Sequence, residues 1–249
     1  MSASAAAPSS LLANVRIVLV ETSHPGNIGS AARAMKTMGL GSLVLVAPKC
    51  YPGAEAKALA SGADDVLAAM RIVDTLDDAL ADCVFAVAAS ARPRDISPEV
   101  LDARRAAERL AMTGAGGPVA LVFGNETSGL SSDDVRRCGA VAQIPANPDY
   151  SSLNVAAAVQ VFAYELRMAV ESGVPGPGGN QDVPATHVEI EQLIAHAEKT
   201  LADLGFFDPA NPKRLLPRLR RLAGKARLER EEINILRGIL AAAAARPGG

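Results

Sequence analysis

The chain has 249 residues, 49% hydrophobic and 21% charged, which is enough apolar content for a full core and excludes wholesale disorder. Its formal charge of -2 hides an asymmetry, because residues 1–170 carry 14 basic and 17 acidic side chains while residues 211–237 carry nine basic and three acidic. Cys50, Cys83 and Cys138 are scattered and odd in number, which argues against a disulfide framework or a zinc site. The opening MSASAAAPSS and the lack of any apolar run near ~20 residues argue against secretion or membrane insertion, so a reduced, cytoplasmic chain is expected.

In chain order, residues 1–12 are expected to be disordered. A buried strand is predicted at 15–20, a helix at 29–38, a strand at 42–46, helices at 54–70 and 76–81, and a strand at 83–88. A helix at 98–112, a strand at 119–123, a helix at 131–138 and a weaker strand at 140–144 follow. This alternation predicts an α/β fold with a parallel sheet. A long serine-capped helix over 151–171, apolar at Val155, Val159, Phe162 and Leu166, is expected to pack on that sheet and close a first domain over 13–171. Seven of the 14 residues in 172–185 are Gly or Pro, which predicts a flexible linker. Beyond it, 186–249 reads as a small helical, basic appendage with helices at 186–204, 212–223 and 229–245 and stops at Gly205 and Gly224.

Generic nucleotide motifs fail. Gly39-Leu40-Gly41 opens a G-x-G-x-x-G pattern, but Val44 replaces the third glycine and the segment enters a strand. No G-x-x-x-x-G-K-[ST] loop exists, and His24, His187 and His196 are dispersed, so no metal is called for.

Three polar segments do follow the ends of predicted strands, where open α/β sheets bind ligands. In ETSHPGNIGSAARA, Asn27 is placed as a helix cap and Arg33 about one and a half turns further on. In FGNETSGL, Gly124 permits close approach to a strand end and Glu126 supplies an acid; each also has a plain structural reading, as a turn or a cap. In IPANPDYSSLNVAAA, Ser151, Ser152 and Asn154 cluster at a helix start, and one cap does not explain all three.

G-N-I-G-S-A-A-R-A, F-G-N-E-x-x-G-L and S-L-N, in this order, resemble the three motifs of the SPOUT superfamily of RNA ribose methyltransferases. Within it, the chain is similar to tRNA (cytidine/uridine-2'-O)-methyltransferases, including the late EINILRGIL. The resemblance implies a parallel sheet with a deep C-terminal trefoil knot, S-adenosyl-L-methionine as cofactor, tRNA as partner and a homodimer. It implies methylation of a ribose 2'-hydroxyl of cytidine or uridine in the anticodon loop, at position 32 in tRNA numbering. Another RNA such as rRNA, or a non-catalytic RNA-binding dimer, are the competing readings.

Carried over residue by residue, the catalytic set is Asn27, Arg33, Glu126, Ser152 and Asn154. Cofactor contacts fall to Ala89, Ser90, Ala91, Gly124, Ile144, Ser151, Ser152 and Leu153. Arg33, Arg92, Arg94, Arg218, Arg220 and Arg221 are the expected tRNA contacts, by charge and position. With 3% aromatic residues and no Trp, backbone contacts rather than stacking are expected to dominate RNA recognition.

Overall fold

The computed structural model describes residues 8–51, 53–91, 98–147, 149–150, 152–173 and 183–245. Within them lie seven strands, β1 (Val15–Val20), β2 (Ser42–Val46), β3 (Arg71–Val73), β4 (Phe85–Ala89), β5 (Glu99–Asp102), β6 (Val119–Phe123) and β7 (Ala140–Gln143). They form one sheet, parallel throughout, in the order β3-β2-β1-β6-β4-β7-β5. The helices are α1 (Pro8–Ala13), α2 (Pro25–Thr37), α3 (Ala54–Ala60), α4 (Asp64–Ala69), α5 (Leu76–Leu80), α6 (Ala103–Thr113), α7 (Ser132–Arg137) and α8 (Val155–Glu171), followed by α9 (His187–Asp203), α10 (Leu215–Ala226) and α11 (Arg230–Ala244).

A central parallel strand is covered on both faces, so it must be apolar at consecutive positions. β1 meets this demand: Val15, Ile17 and Leu19 enter a core shared with α2, α6 and α8, while Val18 and Val20 enter a second core under α5 and α7. In the first core, Phe162 of α8 meets Phe123 of β6 edge-on, with ring centroids 5.8 Å apart. The exception in β1 is Arg16, buried to 8% exposure, whose guanidinium grips Asp82 at 2.8 and 3.0 Å and also donates to the Ala79 carbonyl.

The departures from sequence expectation have local causes. β3 and β5 are short edge strands that carry charge (RIV and EVLD), so neither shows an apolar run; β5 and α6 together were read as one helix over 98–112. Asp102 ends that strand and caps α6 by accepting from the Arg105 amide at 2.8 Å. The helix expected over 54–70 is broken into α3 and α4 at Ser61 and Gly62, both at positive φ (46° and 90°). The N-terminal stretch is helical from Pro8, and Leu12 is buried, so order begins before the expected residue 13. Gly224 does not end α10, which runs to Ala226 with Arg227 in the left-handed region at φ 53°. Instead Gly224 lies against Gly139, where an added side chain would meet backbone at 3.6 Å.

The three last helices pack on one another through Leu193, Ile233 and Ala185 and dock beside α5 and α7. The first amides of α9 are taken by carbonyls of the turn before β4, His187 N to Cys83 O at 2.8 Å and Val188 N to Ala81 O at 3.2 Å. The His187 ring lies 2.9 Å from Asp77, which also accepts from Arg137 at 2.8 Å.

Asp82→Ala should strand the buried Arg16 guanidinium at cost of about 1–3 kcal/mol, moderated because Asp82 itself is half exposed. Urea unfolding reads this as a lower midpoint with an unchanged slope; an unchanged midpoint would show that Arg16 is satisfied without Asp82.

Candidate active site

Because the sheet is parallel throughout, the carboxyl ends of its strands share one edge, and the three polar segments meet there. Glu126, just past β6, is the centre. Its Oε1 accepts from Thr22 Oγ1 at 2.7 Å and Asn27 Nδ2 at 2.8 Å, and its Oε2 from Ser23 Oγ at 2.8 Å and the Ser23 amide at 3.1 Å. Asn27 Oδ1 in turn accepts from Asn154 Nδ2 at 2.9 Å, and Asn154 Oδ1 caps α8 by accepting from the amides of Ala156 and Ala157. One continuous series of bonds therefore joins the loops after β1 and β6 to the first turn of α8.

Partial burial pulls the Glu126 carboxyl upward, but hydrogen bonds from Asn27, Thr22 and Ser23 outweigh it and hold the pKa down at about 2. The loop is clamped from behind by Asn125, 8% exposed, which donates to the Glu21 carbonyl at 2.7 Å and accepts from the amides of Thr127 and Ser128. Gly124 is required by the loop's own return: a side chain there would lie 2.1 Å from the Leu130 amide.

Several expected roles change. Asn27 is not the cap of α2. His24 holds that place without a side-chain bond, Pro25 starts the helix, and Asn27 is released to serve Glu126. The long helix is capped by Asn154 rather than by serine and begins at Val155; Ser152 and Leu153 precede it, both exposed. Gly129, at φ 67°, makes a turn, and the next helix is capped by a Ser131–Asp134 box rather than by Glu126.

Arg33 is exposed, six residues along α2 from Asn27, and among the described residues its guanidinium joins neither Glu126 nor Asn154. Ala89 ends β4, and Ser90 and Ala91 follow it between its neighbours β6, followed by Gly124, and β7, followed by half-buried Ile144. The Ser90 amide is held by the Ala142 carbonyl at 3.0 Å. Arg92, Arg94 and Ser151 lie outside the described residues. Among the described residues no group of three or more His, Cys, Asp or Glu is arranged to hold a metal, and no helix is long and apolar enough to cross a membrane.

On α10, Arg218 and Arg221 are exposed and share one face with Arg214 and Lys225, at successive spacings of four, three and four. Arg220, expected with them at the RNA surface, is instead spent inside the protein. Its Nε and Nη2 grip both oxygens of Glu191 on α9 at 2.8 to 3.1 Å. Sequence reasoning missed Thr22, Ser23 and Asn125 as site residues. The available signal was a run of small polar residues immediately after an apolar strand, next to a glycine-rich turn.

The SpoU rRNA Methylase family matches residues 14–164, which contain every residue of this network. The chain belongs to the SpoU methylase family. A second match, to the C-terminal domain of the tRNA methyltransferase TrmJ, covers residues 188–248, the three last helices. The chain is 48% identical over 240 residues to the tRNA (cytidine/uridine/adenosine-2'-O-)-methyltransferase TrmJ of Pseudomonas aeruginosa, covering 92% of this chain and 93% of that one. It is 49% identical over 236 residues to the tRNA (cytidine/uridine-2'-O-)-methyltransferase TrmJ of Salmonella typhimurium, covering 93% and 96%. Among solved SpoU-type structures, TrmJ from Z. mobilis superposes with a TM-score of 0.78 at 36% identity, over 91% of this chain and 97% of that one. An AdoMet-bound rRNA methyltransferase from Sinorhizobium meliloti superposes with a TM-score of 0.51 at 26% identity, over 62% and 56%.

A carboxyl whose pKa is depressed on folding contributes stability that is fully present above its unfolded value, about 4.3, and is lost as pH falls toward about 2. Glu126→Gln should therefore flatten the acid-side fall of the melting temperature between about pH 5 and 2, leaving the part due to Asp77, which the His187 bond and Arg137 also hold at about 2. A melting profile of unchanged slope would show that the Glu126 hydrogen bonds do not favour its ionised form.

Proposed function

We propose that this chain transfers a methyl group from S-adenosyl-L-methionine to the ribose 2'-hydroxyl of cytidine or uridine in the tRNA anticodon loop, at position 32. The observation that carries the reading is the Glu126–Asn27–Asn154 series at the carboxyl edge of the sheet, in a chain nearly half identical to named tRNA 2'-O-methyltransferases along most of its length. The ends of β6, β4 and β7 fit the cofactor. Ala89, Ser90 and Ala91 place no bulky side chain between Gly124 and Ile144, so the strand-end backbone is open to a purine and its sugar. Ser152 and Leu153, exposed just before α8, are assigned to the same cofactor, which would supply an electrophilic sulfonium methyl group.

The chain's residues then have to align the 2'-oxygen and manage one proton. Glu126 is a poor base, because it is ionised at about 2 and its oxygens are already filled by donors. Its work is orientation. The Arg33 guanidinium offers donors and no acceptor, so it is assigned to hold a substrate phosphate and steady the developing alkoxide.

The route of the chain supports a trefoil knot. β7 ends at Gln143, yet Asn154 bonds to Asn27 beyond β1, three strands away or roughly 14 Å at ordinary strand spacing, so α8 starts on the far side of β4 and β6 from β7. The remaining assignments complete the reading: a methyltransferase domain over 13–171, a linker over 172–185 and a basic tRNA-binding extension over 186–249, in a cytoplasmic homodimer whose mass light scattering reports.

Mass spectrometry of tRNA incubated with enzyme and cofactor tests the function directly; methylation of rRNA alone, or of no RNA, would refute it. Asn154→Ala and Ser152→Ala should lower methyl transfer by about ten- to a hundredfold with the fold retained, and wild-type turnover in both would remove them from the site. Reversing charge at Arg218 and Arg221 should weaken tRNA binding and flatten its salt dependence by ~0.7–0.9 units of slope per lost phosphate contact, with cofactor affinity unchanged. An unaltered slope in a salt titration would make the stripe a solvated helix face.

A further inference from the structure

We propose that Thr22 and Ser23 are positioning residues for methyl transfer: by holding Glu126 as a fixed anionic acceptor they set which way the side-chain amides of Asn27 and Asn154 face. The inference rests on the function proposed above and concerns residues outside the catalytic set carried over from the sequence motifs.

The argument is one of donor and acceptor counting. An ionised carboxylate only accepts, at about four lone-pair sites, and here four donors fill them: two hydroxyls, one backbone amide and the Asn27 side chain. Asn27 must therefore present its NH2 to Glu126, which turns its oxygen toward α8. That oxygen meets Asn154, which must answer with its own NH2 at 2.9 Å. Asn154 Oδ1 is then left facing the first amides of α8, which need an acceptor.

Every amide in the series is thus oriented by the charge at its origin. Each of the two amide nitrogens keeps one N–H outside the series, so the site offers donors, the chemistry suited to an oxygen gaining negative charge as a 2'-hydroxyl loses its proton.

Thr22 is built for this duty. It is 2% exposed, and its carbonyl accepts from the Lys49 amide at 2.9 Å, which fixes the backbone from which its hydroxyl projects. Ser23 contributes through both its amide and its hydroxyl. Without the two hydroxyls the carboxyl binds a proton more readily, and a protonated carboxyl offers a donor. Asn27 is then free to turn its oxygen inward, and the series inverts.

The test compares methyl transfer to tRNA by wild type, Thr22→Val, Thr22→Ser, Ser23→Ala and the Thr22→Val/Ser23→Ala pair across pH 5 to 8, with separate kcat and KM for cofactor and tRNA. Thr22→Val should lose about ten- to a hundredfold in kcat with both KM values within about twofold, and Thr22→Ser should recover most of it. The paired variant, in which only the Ser23 amide and Asn27 still donate to Glu126, should lose more kcat than either single variant. A general loss of packing at Thr22 is not repaired by serine and does not confine the loss to kcat, and Ser23→Ala reports on the same carboxyl from a less buried position if Thr22→Val fails to fold. Wild-type kcat in Thr22→Val or Ser23→Ala overturns the proposal and leaves the function standing. A wild-type enzyme that methylates no tRNA overturns both.

Discussion

An ionised carboxylate that is half withdrawn from water must be surrounded by donors, and at Glu126 nearly all of them come from one other loop. Thr22, Ser23 and Asn27 lie within seven residues after β1, so the chain there has to run extended and then turn directly into α2. The surrounding backbone is shaped to that end. Glu21 occupies the left-handed region at φ 50°, and its carbonyl is held by Asn125, the neighbour of Glu126. Gly124 lets the loop after β6 fold back within contact of Leu130. Three segments that are distant in sequence depend on one another through a single charge, and a defect in one is transmitted to the amides of the other two.

The parallel sheet divides labour between its two edges. Carboxyl ends of the strands carry the polar series, while the strand starts carry the attachments of the last three helices, at Cys83 before β4 and Gly139 before β7. The attachment is specific as well as apolar. Asp77 accepts from both His187 and Arg137, tying α9 to α5 and α7, and Arg220 ties α10 to α9. These helices are thereby docked beside the second core, and the face of α8 bearing the exposed Tyr164 and Met168 remains uncovered in the single chain.

How much of this was legible in the sequence follows from what each feature needs. β1 and β6 are buried on both sides, so their composition alone announces them. β3 and β5 are edges of three and four residues, and their charge hides them from any search for apolar runs. The presence of Asn27, Glu126 and Asn154 at the site could be read from motif and position, but their mutual roles could not. Which asparagine caps a helix and which serves a carboxylate is decided by a contact across 127 positions of sequence. Thr22 and Ser23 escaped for the same reason, since a hydroxyl after a strand gains meaning only from the acid that folds over it.

Charge shows the same limit more sharply. The run from 211 to 237 reads as a net excess of six cations, yet folding consumes part of it: Arg220 is bound to Glu191 and Arg230 to Glu189, with Nε at 2.7 Å from the carboxylate. Arg220 stabilises the packing of α9 against α10 and is a poor candidate for phosphates, because releasing it would leave the half-buried Glu191 unpaired at the helix interface, whereas the Arg230 pair is more exposed and weaker. Outside these two pairs, Arg218, Arg221 and Lys225 stand exposed on the face of α10 opposite the buried Ala223. A stripe one helix face wide, with cations spaced about one turn apart, follows a phosphate chain rather than a base, which suits a chain without tryptophan and with few aromatic residues. In the proposed tRNA-binding role, the exposed charge of that face, not the count in the sequence, sets how steeply binding depends on salt.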